Sequence, residues 1–213
     1  MVNENMAKKF LNAYFDGREN EYLLLWTKQD KRSYSFKLPE EIDKAAELAC
    51  RLAKTKDVYF GVTPSKRAYS DSSGRGKAED AGALLAFWAD VDLSSGIHNT
   101  QSQNPPDVET VRELLKNIPT PSIAIHSGGG LHLYWLLDSP FLISDEASRT
   151  EASRMAEGWQ NVIRQEFKAH GYTLDATADL ARLLRVPGTT NLKDPHAPKP
   201  VAIIADFCSQ EEK

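Results

Sequence analysis

The sequence predicts a mixed α/β fold of the α+β kind, with an N-terminal α/β module over residues 1–80 packed against a β-α-β-β-α-β unit over residues 81–208. Two observations support this prediction. Short apolar segments of strand length alternate with longer segments whose apolar residues recur at helical spacing. Three consecutive glycines, Gly128–Gly130, separate two of the strand-like segments, which is typical of a tight hairpin. A chain of 213 residues can bury one substantial core, or two small modules that share a face.

Local patterns define the elements of the N-terminal module. In order, they are the amphipathic helix Asn3–Phe15, the hairpin strands Tyr22–Lys28 and Ser33–Lys37, a helix that starts at Pro39 with the apolar stripe Ile42, Ala45, Ala46, Ala49 and Leu52, and the strand Val58–Val62. The loop that follows, Thr63–Gly82, is long for a compact domain, and such loops are usually functional or mobile.

The second unit is predicted in the same way. Its elements are strand Leu84–Asp92, the polar loop Ser94–Asn104, helix Asp107–Asn117, strands Ser122–Ser127 and Leu131–Leu137, a long helix capped by Ser144 that runs to about His170, and strand Val201–Ala205. The inner stripe of the long helix is predicted to be Met155, Trp159, Val162, Ile163 and Phe167. This order of elements is that of an RRM-like or ferredoxin-like sheet. The polar stretch Ser209–Lys213 is expected to be the edge of the domain.

Composition narrows the class of protein. The apolar fraction of 41% and the charged fraction of 26% are ordinary for a globular protein. The sequence contains no apolar run of membrane-spanning length and its first residues lack the apolar core of a secretion signal, so we expect a cytoplasmic protein with no membrane partner. Cys50 and Cys208 lie far apart with no partner pattern, which excludes a disulfide framework or a four-ligand zinc site as the organising principle.

The apolar stretch Ala83–Leu93, read ALLAFWADVDL, ends in two acids. Side chains alternate along a strand, so Asp90 and Asp92 point to the same side, about 7 Å apart at their Cα atoms. At about 5 Å, two such carboxylates repel by about 3 kcal/mol for an effective dielectric constant of 20. A divalent cation between them, Mg²⁺ or Mn²⁺, would remove this cost. A strand that simply ends in solvent would also tolerate both acids.

The stretch Ser127-Gly-Gly-Gly-Leu-His132 contains the predicted hairpin turn. On the strand after it, His132, Tyr134 and Leu136 share one face. His132 thus follows a glycine turn whose backbone N–H groups can approach a phosphate closely. The turn is not a Walker loop, because no Lys-Ser/Thr and no helix follow it. A structural role for this histidine is the alternative.

A third stretch runs from Asp175 to Lys193. A helical turn over Asp179–Leu184 would place Arg182 and Arg185 on one face. The dipeptide Pro187–Gly188 then predicts a chain reversal that returns Asn191 and Lys193 toward the same place.

Basic residues form two clusters despite the net charge of −4, which argues against bulk coating of nucleic acid. The clusters are Lys66, Arg67, Arg75 and Lys77, and Arg182, Arg185, Lys193 and Lys199. Beside an acidic metal site they would suit a polyanionic substrate. Two ordinary solvated loops are the alternative.

The three stretches together resemble the three motifs of the archaeo-eukaryotic primase superfamily. FWADVDL resembles its apolar strand that ends in acid-x-acid, Gly130-Leu131-His132 its small-x-His motif, and Leu174-Asp175 its third, acidic motif. The stretch RLLRVPGTTNLK resembles the basic R-x-x-R-x-P-G sequence that often follows, and the similarity covers about residues 58–205. The resemblance implies one catalytic domain over residues 1–213 with an α/β module beside an RRM-like unit and the active site between them.

The resemblance also implies roles for individual residues. Asp90, Asp92 and Asp175 would bind two Mg²⁺ or Mn²⁺ ions and catalyse nucleotidyl transfer from a nucleoside triphosphate, with Asp179 as a competing third acid or a helix cap. The implied nucleotide-binding residues are Ser127, Gly130, His132, Arg182, Arg185, Asn191 and Lys193. Charge alone suggests template or initiating-nucleotide contacts for Lys66, Arg67, Arg75 and Lys77.

The implied partners are a single-stranded DNA template with its primer and (d)NTPs. Any helicase or accessory domain would lie outside this chain. A non-catalytic module that binds nucleotide or DNA at replication initiation is the alternative function, and a sugar-nucleotide transferase is supported only by the Asp-Val-Asp sequence itself.

Overall fold

The computed structural model describes residues 2–70, 74–94 and 103–207. The helices are α1 (Glu4–Tyr14), α2 (Ile42–Leu52), α3 (Val108–Leu114) and α4 (Glu146–Ala169). The strands are β1 (Tyr22–Thr27), β2 (Arg32–Lys37), β3 (Val58–Gly61), β4 (Ala83–Asp92), β5 (Ile123–His126), β6 (Gly130–Leu142), β7 (Leu183–Arg185), β8 (Thr190–Asn191), β9 (Lys199–Pro200) and β10 (Ala202–Ile203). The predicted α/β class is confirmed.

The N-terminal part forms an antiparallel sheet, here the first sheet, with strand order β2-β1-β3-β7 among the described residues. The predicted hairpin forms β1 and β2, and β3 pairs with β1. The fourth strand, β7, comes from the far end of the sequence and pairs Tyr59 of β3 with Arg185. The first sheet is therefore completed by residues that lie outside the predicted N-terminal module.

The prediction of a helical turn over Asp179–Leu184 is wrong beyond its first residues. The backbone N–H of Arg182 donates to the carbonyl of Asp179, closing one turn, and the chain then enters β7. The free edge of β3 supplies hydrogen-bond partners for this short segment. Since three residues carry almost no periodicity of their own, the sheet edge decides their conformation.

The second sheet has the order β10-β5-β6-β4 and is antiparallel throughout. With α3 and α4, its strands follow the predicted β-α-β-β-α-β order. The strand after the glycine turn is longer than predicted and runs to Leu142. The terminal strand pairs with β5, at the opposite edge from β4.

The long helix α4 differs from its prediction in two respects. Asp145, not Ser144, is the N-cap, and it exchanges hydrogen bonds with Ser148 in a capping box. Val162, predicted for the inner stripe, is 50% exposed. The buried face of α4 consists of Ala152, Ala156, Gln160, Ile163 and Phe167.

Two apolar cores lie on the two faces of the second sheet. One includes Trp88 and Tyr134 of that sheet, Phe60 of the first sheet and Phe10 of α1. The other includes Val91 with residues of α3 and α4. Along β4, side chains on the face of Trp88 therefore point toward the first sheet, and Asp90 and Asp92 continue that row.

The remaining predictions concern termini and loops. Cys50 is a buried free thiol, whereas Cys208, the stretch Ser209–Lys213 and most of the loop Ser94–Asn104 lie outside the described residues. Among the helices that the structure describes, none combines the length and the apolar character needed to cross a membrane.

Candidate active site

The two acids of β4 lie at the end of the apolar row that faces the first sheet. Asp90 pairs across the strands with His132, and Asp92 pairs with Gly130. One carboxylate oxygen of Asp90 accepts a hydrogen bond of 2.6 Å from Nη2 of Arg182, and the other lies 3.6 Å from Nε2 of His132. The predicted common orientation of the acids thus places them where the apolar packing between the sheets ends.

The carboxyl group of Asp92 carries unfavourable negative charge. Its pKa is raised above the usual value, first by removal from water and then by the charges of Asp90 and Asp175, while Lys193 and Arg182 act in the opposite direction. A raised pKa means that the ionised form is destabilised. A cation bound beside Asp92 would relieve this cost.

His132 is 4% exposed and lies beneath the acids. Burial lowers its pKa to about 4, although the nearby charge of Asp90 favours the protonated form. The imidazole is therefore neutral near pH 7. Among the described residues, its Nδ1 atom has no hydrogen-bond partner. A neutral histidine can donate one hydrogen bond to an anionic ligand but cannot neutralise its charge.

The glycine turn is shaped by close backbone approaches. Gly128 has a φ of +90°, and a Cβ atom there would lie 2.9 Å from Cβ of Asn191. A Cβ atom on Gly130 would lie 2.1 Å from the carbonyl oxygen of Val91. Asn191 donates from Nδ2 to the carbonyl of Ser127 at 2.7 Å, which holds the C-terminal loop against the turn. Gly130 therefore serves strand packing, while Gly129 faces the open space.

These elements surround a cleft of about 240 Å³. Most of the predicted site residues line it, together with a tyrosine of β3 and residues of β7: Tyr59, Asp90, Asp92, Ser127, Gly129, His132, Arg182, Leu183, Leu184, Arg185, Asn191 and Lys193. Of the predicted acids and nucleotide-binding residues, Asp175 and Gly130 are not part of this lining.

Asp175 is exposed, and it is near enough to Asp92 for its charge to act on that carboxyl group. Its segment is fixed by a buried network: Trp88 Nε1 donates to the carbonyl of Thr177 at 2.7 Å. Gln160 of α4 accepts from the Thr177 backbone N–H at 2.8 Å and donates to its hydroxyl at 2.9 Å. No sequence motif points to Gln160, which is marked only by its position between apolar residues of α4.

Arg182 and Arg185, predicted as a pair, have different partners. Arg182 bonds to Asp90, whereas Arg185 forms an ion pair with the buried Asp57 of the segment before β3. Asp57 also accepts from the backbone N–H of Leu192 at 2.8 Å, so that this pair ties the loop after β7 to the first sheet. Burial alone would raise the pKa of the Asp57 carboxyl, but its hydrogen bonds and the Arg185 charge outweigh burial and lower that pKa. Arg185 is therefore already neutralised within the protein.

The residues predicted from charge alone do not line the cleft. Arg67 pairs with Asp80 at 2.9 Å, and Lys77 pairs with Glu79 at 3.2 Å. Lys66 and Arg75 are exposed. Asp179, the competing acid, caps its own turn by accepting from the backbone N–H of Ala181.

A larger cavity, about 460 Å³, lies between the end of α4 and the segment before Asp175. It is lined by Gln103, Asn161, Arg164, Gln165, Lys168, Gly171, Tyr172, Thr173 and Leu174. This described lining contains none of the predicted site residues.

The chemistry of the cleft fits hard divalent cations. Carboxylate oxygens are the ligands that Mg²⁺ and Mn²⁺ prefer, and Asp92 carries the destabilised charge that such an ion would offset. Arg182 already holds one oxygen of Asp90. Within the described residues, no three His, Cys, Asp or Glu side chains stand close enough to hold one ion together. Because Mg²⁺ is usually held by one or two carboxylates together with waters and substrate phosphates, Asp90 and Asp92 would share such an ion with a nucleotide.

The fold around this cleft is similar to that of two solved primase domains. The primase-polymerase domain of cyanophage S-2L superposes with a TM-score of 0.59 over 99% of this chain and 92% of its own, at 11% identity. The primase RepB′ superposes with a TM-score of 0.53 over 98% of this chain and 58% of its own, at 14% identity. No protein-family model and no curated protein sequence matches the chain. At these identities the likeness establishes the fold.

Proposed function

We propose that the chain is a template-dependent nucleotidyltransferase, a primase-polymerase domain that makes or extends primers on single-stranded DNA. The observation that carries the proposal is the pair Asp90 and Asp92, on one face of β4 at the mouth of a cleft whose other walls are a glycine turn and basic side chains. The primase fold and the motif resemblance agree with this chemistry.

Each group in the cleft has a distinct part in the proposed reaction. Asp90, Asp92 and Asp175 would hold two Mg²⁺ or Mn²⁺ ions, which supply activation of a 3′-hydroxyl and charge stabilisation at the triphosphate. Lys193 and Arg182 would neutralise phosphate charge at the cleft. The open space beside Gly129 would let a phosphate approach its backbone, and the neutral imidazole of His132 would offer a hydrogen bond to a phosphate oxygen.

Arg182 would have two partners in turn in the proposed reaction, first Asp90 and then the triphosphate. Its guanidinium pairs with Asp90, so it holds that carboxylate in place. When a triphosphate enters, the same guanidinium can turn to it, because five N–H donors form a fork that suits phosphate oxygens. The released oxygen of Asp90 would then be available to hold a divalent cation.

The test is nucleotide incorporation on a primed single-stranded template with Mn²⁺. Asp90→Ala and Asp92→Ala should each lower the rate by roughly a hundred-fold or more, because even outer partners of a metal site are worth about 10–100-fold. The matched control is Asp138→Ala, an exposed aspartate of β6 away from the cleft, which should keep full activity. Full activity of the Asp90/Asp92 double variant would refute the proposal.

The alternative is a non-catalytic module that binds nucleotide or DNA at replication initiation. It predicts that the wild-type chain binds nucleoside triphosphate and DNA but incorporates nothing with either Mg²⁺ or Mn²⁺. The same assay therefore separates the two functions.

A further inference from the structure

A row of side chains crosses the first sheet and ends at the cleft. The register aligns Ser33 of β2 with Trp26 of β1, Trp26 with Tyr59 of β3, and Tyr59 with Arg185 of β7. The rings of Trp26 and Tyr59 have centroids 5.7 Å apart, and the Arg185 guanidinium lies 4.8 Å from the centroid of Tyr59. The side chains of this row point away from the apolar core. The residues that alternate with them along each strand point into that core.

The two aromatic residues are the open part of this face. Residues 74–77 cover its far side: the hydroxyl of Ser33 donates to the carbonyl of Gly74, and Ser33 and Leu24 are only 1% and 3% exposed. Trp26 and Tyr59 remain partly exposed beside this cover. Large aromatic rings left partly open next to a polar cleft are typical of ligand contacts rather than of core packing.

The open face is continuous with the candidate active site. Tyr59 lines the cleft together with Asp90, Arg182 and Lys193, so a ligand on the aromatic row can extend directly to the acids. Basic groups lie at both ends of the row. Arg182 and Lys193 stand at the cleft, and the exposed Arg75 follows Gly74 at the far end.

We infer that Trp26 and Tyr59 form a base-stacking surface for single-stranded nucleic acid that leads into the cleft. Stacking on aromatic rings combined with flanking cations is how single strands are bound without sequence preference, because every base has a π-face and every phosphate a negative charge. The stacked strand is the template, an assignment that rests on the proposed function. Arg185 lies against Tyr59 and is held by Asp57, so it fixes the ring that the bases contact.

The test measures binding of a labelled twelve-residue oligo-dT in EDTA, without nucleotide, by fluorescence anisotropy. Trp26→Ala and Tyr59→Ala should each weaken binding by roughly five-fold or more, as expected for loss of one stacked base. Trp26→Phe should retain most of the affinity. The matched control is Tyr172→Ala, a partly exposed aromatic residue away from the cleft, which should bind as the wild type does.

Two readouts separate stacking from a structural effect. An oligonucleotide with abasic sites should bind the wild type roughly five-fold or more weakly than oligo-dT, and Trp26→Ala should not weaken it further. Oligo-dT should quench tryptophan fluorescence in the wild type but not in Trp26→Phe. The wild-type comparison needs no variant, so it holds even where Trp26→Ala fails to fold.

Equal affinity of the wild type and Trp26→Ala for oligo-dT would overturn the inference. The inference would also be overturned if Trp26→Ala and Tyr59→Ala changed only the KM of the nucleotide. If either result is found while Mn²⁺-dependent incorporation is intact, it contradicts the stacking surface but not the proposed polymerase activity. Stacking in a wild-type chain that incorporates nothing supports the surface and contradicts the proposed polymerase activity alone.

Discussion

His132 illustrates how burial decides what a site residue can do. The motif resemblance assigned it to the nucleotide phosphates, where a positive charge would be useful. In the structure it is buried beneath Asp90, and its pKa falls to about 4. In the proposed reaction, positive charge for the triphosphate would therefore come from Arg182 and Lys193, which line the same cleft.

The pKa of His132 also predicts how stability depends on pH. The folded pKa is about 4 and the ordinary value is 6.5, so the unfolded chain takes up a proton before the folded one does. This contribution to stability is complete above pH 6.5 and is lost as the pH falls toward 4, by up to about 3 kcal/mol. Urea unfolding of the metal-free protein between pH 7 and 4.5 measures it.

Other groups titrate in the same range, so the comparison is with His132→Gln. The stability difference between wild type and His132→Gln should shrink as the pH falls, whereas the exposed His196→Gln control should follow the wild type. Parallel stability curves for wild type and His132→Gln would show that burial does not hold this imidazole neutral.

At the scale of single elements, α4 supplies more than an apolar face. Its buried side includes Gln160, whose amide holds the backbone of Thr177 and the carbonyl of Trp88. These bonds fix the segment that carries Asp175 next to the strand that carries Asp90. A helix outside the cleft thus sets the distance between the acids.

Gln160→Leu should leave the buried N–H of Thr177 unpaired. We expect a loss of about 1–3 kcal/mol in the free energy of unfolding. The rate of incorporation should fall further than this loss explains, because Asp175 loses its support. The control is Gln165→Leu, an exposed glutamine of the same helix, which should change neither quantity. Wild-type incorporation by a folded Gln160→Leu protein would contradict the positioning role.

Periodicity predicted the elements well where a segment was long. The ALLAFWADVDL stretch, the β1–β2 hairpin and the glycine turn all lie where the sequence placed them. It failed for Leu183–Arg185, because a three-residue strand is specified by the edge of β3 rather than by its own residues. It also misplaced Val162, since the buried side of a helix as long as α4 is set by what packs on it.

At the scale of the whole molecule, the C-terminal part of the sequence contributes one strand to the sheet of the predicted N-terminal module. β7 belongs to the C-terminal sequence but completes the first sheet, and Arg185 on that strand pairs with Asp57. Both side chains are buried. The motif resemblance predicts Arg185 to be a phosphate ligand, because its acidic partner lies 128 residues away in the chain and no local pattern links the two.

Breaking this pair should affect the whole fold. Asp57→Ala leaves a buried guanidinium without its partner, and we expect a loss of about 3–5 kcal/mol in the free energy of unfolding. The double variant Asp57→Leu/Arg185→Met should be more stable than Asp57→Ala, because no buried charge remains. Asp43→Ala, which removes an exposed partner of Lys8, is the control and should cost little. If denaturant melts gave equal losses in the free energy of unfolding for Asp57→Ala and Asp43→Ala, the account would be contradicted.

The motifs predicted which side chains lie together better than they predicted the contacts of those side chains. Asp90, Asp92, Ser127, His132, Asn191 and Lys193 all line one cleft. Tyr59 and Asp57, which shape its wall, could not be predicted, since their roles arise only when β7 docks on β3. The fold thus assembles the site from both ends of the chain.

The most direct test of the central claim is diffraction from crystals soaked with Mn²⁺ and a non-hydrolysable nucleoside triphosphate. Anomalous peaks should lie within about 2.2 Å of carboxylate oxygens of Asp90 and Asp92, with Asp175 drawn toward the same ions. The triphosphate should contact Arg182 and Lys193. Manganese peaks elsewhere, or a nucleotide bound with these carboxylates free of metal, would contradict the account.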